Sequence, residues 1–115
     1  MSDTPYQDAF RKSVGGTKDL AGHILDVIKS FQELAAAATA DGVLDGKTKE
    51  LIALALGVAA RCEGCVAFHA RALTKLGATR AEVAETLGVA IQMGGGPSLT
   101  WASEALAAFD EFSAG

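Results

Sequence analysis

The chain has 115 residues, half of them hydrophobic, with a formal net charge of −4 and a pI near 5.0. An acidic chain lacks the basic patch that phosphate contacts require, which argues against nucleic-acid binding. It also lacks the basic cluster of a membrane-surface anchor, and its longest apolar run, Leu51 to Ala60, is about half of the ~20 residues a membrane-spanning helix needs. The length suits one domain over residues 1–115, large enough to bury roughly two-thirds of its unfolded surface. Counting the 13 glycines among the apolar residues lifts the chain above the ~45–50% of a typical soluble domain. A small interior cannot absorb that surplus, so a buried contact between identical subunits is expected. The opening Met1-Ser2-Asp3-Thr4-Pro5 has neither the basic flank nor the apolar stretch of a secretory signal. A cytoplasmic location follows as an expectation, and thiols there are kept reduced.

No segment alternates as a strand does, and Ala and Leu dominate, so an all-α bundle of about five or six helices is predicted. A short helix is expected in the first dozen residues, broken by Gly15-Gly16, with Thr17 or Asp19 capping its successor. Leu20, Ile24, Val27, Ile28 and Phe31 then recur at helical spacing as an apolar stripe. This helix continues, with a bend near Ser30, through Ala35–Ala38 to a stop at Asp41-Gly42.

Asp45 is positioned to cap a helix from Gly46 to about Ala60, apolar nearly all round, as suits a central helix or one between subunits. After a break near Arg61, a helix runs from Cys62 to Leu76, with Gly77 as its C-terminal stop. Thr79 and Glu82 have the capping-box spacing and open a helix with the stripe Val83, Leu87, Ala90 and Ile91. Gly94-Gly95-Gly96-Pro97 ends it, and a last helix turns Leu99, Ala102, Leu106 and Phe109 inward. The glycine triplet follows no strand and lacks a P-loop Lys, so it reads as a helix stop and turn, not a phosphate cradle.

Chemistry concentrates between Glu50 and His69. Cys62, Cys65 and His69 are spaced i, i+3, i+7 and share one helix face with Val66, Leu73 and Leu76, while Glu63, Arg71 and Lys75 point away. The two thiols therefore lie at the start of a helix, where free N–H groups and the positive dipole end stabilise a thiolate. An imidazole one turn beyond Cys65 is placed to accept its proton. Two cysteines one helical turn apart also have the reach to close a disulfide. Glu50 sits in an apolar helix and needs a partner there. It would meet His69 at about the same level if the two helices form an antiparallel hairpin. Two other readings of the pair stand beside redox chemistry. The cysteines would serve as small buried hydrophobes, or would bind metal with His69 and Glu50, although two Cys and one His fall short of the Cys-rich sets of structural zinc. His23 has no chemical neighbours in sequence and reads as structural or exposed.

The pattern Glu50, eleven residues, Cys62-x-x-Cys65, three residues, His69 resembles the signature of alkylhydroperoxidase D (AhpD)-like proteins of the carboxymuconolactone decarboxylase family. Lys47-Thr48-Lys49-Glu50-Leu51-Ile52-Ala53-Leu54-Ala55 and Met93-Gly94-Gly95-Gly96-Pro97 are similar to family patterns as well, and the resemblance covers about Leu34 to Phe112. It implies an all-α fold, homo-oligomers (trimers or hexamers) and a thiol peroxidase. In that reading the substrate is a hydroperoxide, Cys65 is peroxidatic and Cys62 resolves. Glu50 is the base, acting through water and His69 as a proton relay, and an external dithiol carrier is the reductant. No metal or cofactor is implied. Well-studied members carry a further His just before the second Cys, where this chain has Gly64. The family's lactone-decarboxylating members share the fold without relying on the Cys pair. Alternatives to peroxidase are therefore a lyase of that type, or a redox-sensing or metal-binding subunit.

Overall fold

Pro5 at the first helical position opens α1 (Pro5–Ala21), and five more helices follow in the computed structural model, which describes residues 1–115. These are α2 (Leu25–Thr39), α3 (Gly46–Ala59), α4 (Glu63–Lys75), α5 (Arg80–Gly94) and α6 (Gly96–Ala114), with no strand. No helix is long and apolar enough to cross a membrane.

Local signals set most boundaries. Asp45 accepts the Thr48 N–H at 2.8 Å and starts α3. Thr79 and Glu82 bond reciprocally to each other's backbone N–H, at 3.1 and 2.8 Å, and start α5. At the end of α4, Gly77 takes φ +75°. Its N–H reaches Thr74 O and the Ala78 N–H reaches Leu73 O, the two bonds of a Schellman stop.

The expected break at Gly15-Gly16 does not occur, since α1 runs through both. A glycine inside a helix costs only about 1 kcal/mol, and neither of these meets a neighbour that would force a turn. The chain breaks instead at Gly22-His23-Ile24. Thr17 and Asp19 are therefore interior to α1, and Thr17 returns its hydroxyl to Ser13 O. Helix α2 is continuous through Ser30.

The core is built by α3 to α6. Leu54 and Val58 from α3 and Val66, Ala70 and Leu73 from α4 meet Val83, Leu87 and Ala90 from α5. Ala102, Ala105 and Ala108 close it from α6, small residues that let the helices approach closely, together with Phe109. Leu99 was expected inside but is exposed, and Ser98 is buried in its place. The close turn at Gly94-Gly95 sets this register, because a Cβ on Gly94 would collide with the Ser98 hydroxyl. Leu76 is also exposed, since α4 ends before it.

Helix α1 lies across α4 and α6. Glu111 of α6 accepts the Gln7 N–H at 2.6 Å, satisfying a free donor of α1's first turn. Tyr6 donates to Glu104, and burial together with that bond pushes its phenol well above the ordinary range. Helix α2 touches only α1 and α3 and has no buried residue. The expected apolar stripe is split by the break between α1 and α2 and is mostly uncovered: Leu20 of α1, Ile24 in the break, and Val27 and Phe31 of α2 are exposed and only Ile28 is half-buried.

Glu82 also pairs with Lys47 of α3 at 2.8 Å, and that contact holds its carboxyl below the ordinary value of 4.5. A depressed carboxylate pKa contributes stability above the unfolded value and loses it as pH falls through the folded one. Glu82→Gln should therefore flatten the acid limb of a stability–pH curve below about 4.5, read by urea unfolding at stepped pH. Thr79→Ala should cost about 1 kcal/mol at every pH through loss of the cap.

Candidate active site

The turn between α3 and α4 assembles the site. Arg61 adopts φ 57°, the left-handed region where a non-glycine residue is uncommon. With it, the Arg61 N–H bonds Val58 O and the Cys62 N–H bonds Gly57 O, so α3 stops and the chain reverses within three residues. Cys62 then caps α4, its sulfur accepting the Cys65 N–H at 3.1 Å. A disulfide joins Cys62 to Cys65, whose Cα atoms are 5.2 Å apart. Both cysteines are half-buried at the helix start.

Gly57 makes this reversal tight. A Cβ there would stand 3.1 Å from Cys65 Cβ and 3.7 Å from the Val66 N atom, so α3 lies against the Cys65 turn with no room for a side chain. Sequence reading did not single out Gly57. Its signal was a lone glycine inside an apolar helix, which often marks a close packing contact.

Further from the turn, Glu50 of α3 and His69 of α4 meet, with Oε2 and Nδ1 2.6 Å apart. Glu50 is only 8% exposed, so its carboxylate has exchanged water for this one partner. A carboxylate only accepts, which makes Nδ1–H the donor and leaves Nε2 as the free ring nitrogen. Of the four residues singled out in sequence, the structure pairs Cys62 with Cys65 and Glu50 with His69, on two consecutive helices. His23 is exposed and apart from them. No group of three or more His, Cys, Asp or Glu side chains is arranged to hold a metal ion.

Helix α1 covers the other side of α4. A Cβ on Gly64 would stand 3.3 Å from Ser13 Oγ, so the place of the resembled family's additional His is taken up by α1. Phe10 packs against Phe68 at 6.2 Å, and Phe68 meets the His69 ring edge-on at 5.2 Å.

The carboxymuconolactone decarboxylase family matches this sequence over residues 26–108. The chain belongs to that family. A family member from Legionella pneumophila, solved in its apo form, is 50% identical and superposes with a TM-score of 0.91, covering 94% of this chain and 96% of its own. A Thermotoga maritima family member is 30% identical with a TM-score of 0.73, over 87% of this chain and 88% of its own. That protein is described as a candidate for involvement in antioxidative response. An uncharacterized protein of Cupriavidus necator is 47% identical over 87 residues, which is 76% of this chain and 77% of that protein.

Two substitutions test the packing. Gly57→Val should destabilise by about 1–3 kcal/mol through overpacking against Cys65, read by chemical denaturation of the oxidised protein. Gly64→His should displace Ser13 and loosen α1, read as faster amide exchange over residues 5–21 with exchange in α5 unchanged.

Proposed function

We propose that the protein is a thiol-dependent oxidoreductase that reduces hydroperoxides through the Cys62–Cys65 pair. The observation that carries this reading is a two-cysteine redox couple at a helix start, one turn from an imidazole oriented by a buried carboxylate. Family membership and the description of the Thermotoga relative support it.

In the reduced protein, α4's N-terminal N–H groups and dipole favour thiolate at its first turn. The Cys65 proton passes to His69, directly or through water, and Glu50 stabilises the resulting imidazolium. The Cys65 thiolate attacks the distal peroxide oxygen. The O–O bond breaks, the alkoxide leaves and takes up a proton as an alcohol, and the sulfur becomes a sulfenic acid. The Cys62 thiol then displaces water from that sulfenic acid and closes the disulfide. An external dithiol carrier exchanges with it, becoming a disulfide itself and returning two thiols. Gly64 leaves proton movement to Glu50 and His69 alone.

We also propose that the working form is a homo-oligomer, with another copy covering α2. Val27, Phe31 and Leu34 on α2 and Ile52 and Leu56 on α3 are all exposed within one chain, more apolar surface than scattered single residues would explain. Native mass spectrometry should find a trimer or hexamer, and a monomer at micromolar concentration would refute this assignment.

Intact mass of the reduced protein, before and after one equivalent of an organic hydroperoxide, tests the chemistry. The expected result is rapid loss of two hydrogens, mapped to a Cys62–Cys65 bond, with matching loss of peroxide. Cys65→Ser should abolish peroxide consumption. Cys62→Ser should retain one turnover and trap a sulfenic acid at Cys65, and loss of that first turnover would reverse the two roles. Glu50→Gln should slow the reaction about 10²-fold or more, the usual scale of a proton-transfer contribution, while leaving the helical signal intact.

A further inference from the structure

A concavity lies on the opposite side of α4 from His69. Residues 69 and 71 are about 200° apart around a helix, and Arg71 faces α1 where His69 faces α3. Between α1, α4 and the end of α6 is a groove of about 370 Å³, lined by Gln7, Phe10, Arg11, Arg71, Lys75 and Phe112 among others. In a chain of net charge −4, this groove gathers three cations.

Their partners are unequal. Arg11 is paired with Asp8 at 2.7 Å, and the nearby Glu111 is committed to the Gln7 N–H. Arg71 and Lys75 have no carboxylate partner. Lys75 suits the C-terminal end of α4 through the helix dipole, which is reason enough for one cation there. Arg71 is different: it is half-buried and its guanidinium is stacked 4.5 Å over the Phe10 ring. That stacking holds the planar donor fork in place, and a preorganised guanidinium is the group best matched to a carboxylate. Phe10 and Phe112, edge to face at 6.3 Å, form an aromatic wall beside it.

We propose that this groove is a binding site for a small organic carboxylate with a flat, apolar body. The carboxylate pairs with Arg71, assisted by Lys75, and the flat body lies against Phe10 and Phe112. The volume falls in the range of small-molecule sites, and the lining is mostly polar and charged, with Phe10 and Phe112 as its two apolar residues. The site is separate from the cysteine pair and does not depend on the redox reading.

The test is a titration of the full-length oxidised protein with 2-naphthoate, followed by calorimetry and by amide NMR shifts. Its neutral isostere 2-naphthylmethanol and inorganic phosphate serve as comparison probes. Saturable naphthoate binding is expected, with shifts centred on Phe10, Arg71 and Phe112, and with both comparison probes binding more weakly. Arg71→Gln should weaken binding about tenfold or more, the scale of a charge-assisted hydrogen bond. The exposed Lys75→Gln, which leaves the core untouched, should weaken it by a smaller factor. The proposal is overturned by no saturation at millimolar naphthoate, by equal binding of the neutral alcohol or of phosphate, by shifts centred elsewhere, or by Kd unchanged in both variants.

Discussion

The chain reversal between α3 and α4 is the constraint on which the site depends. One left-handed residue, Arg61, and one missing side chain, Gly57, bring two helices into contact at the Cys65 turn. From that contact the helices run back antiparallel, which sets Glu50 beside His69 further along. The same turn gives Cys62 two duties. Its backbone N–H completes the end of α3 and its sulfur caps α4. A change in the bonding of the Cys62 sulfur would therefore act on the group that starts the helix and on the local backbone.

The Glu50–His69 pair shows how burial and chemistry combine. A carboxylate at 8% exposure loses most of its hydration and would be costly alone. The imidazole supplies the compensating hydrogen bond, and in exchange its ring is fixed with one nitrogen free. The carboxylate thus sets the tautomer and direction of the imidazole, the orientation that the proposed proton transfer needs. Leu54 and Val58 of the same helix lie in the core that holds the bundle together, so α3 ties Glu50 to the packed part of the fold.

Helices α1 and α2 stand outside that core for different reasons. Helix α1 is held by specific polar contacts, Tyr6 to Glu104 and Gln7 to Glu111, and by aromatic contact of Phe10 with Phe68 and Phe112. It shields one side of α4 and creates the cationic groove. Helix α2 buries nothing within the chain, and its apolar stripe lies in the open.

What the sequence by itself determined was local. Asp45, Thr79 with Glu82, and Gly77 mark helix ends because a cap joins atoms only a few residues apart, so residue type and spacing suffice. The shared face of Cys62, Cys65 and His69 follows likewise from helical periodicity alone. Tertiary structure decided the rest. Gly15-Gly16 stays helical because no packing demand turns the chain there, and Leu99 and Leu76 face outward because neighbouring turns set the register of their helices. What covers the apolar stripe of α2 was not legible, because periodicity locates an apolar face without naming what packs on it. Gly57 against Cys65, Ser13 over Gly64, and Arg71 stacked on Phe10 join residues separated by a turn or by about half of the chain. Such contacts depend on how whole helices cross, and no local pattern encodes a crossing.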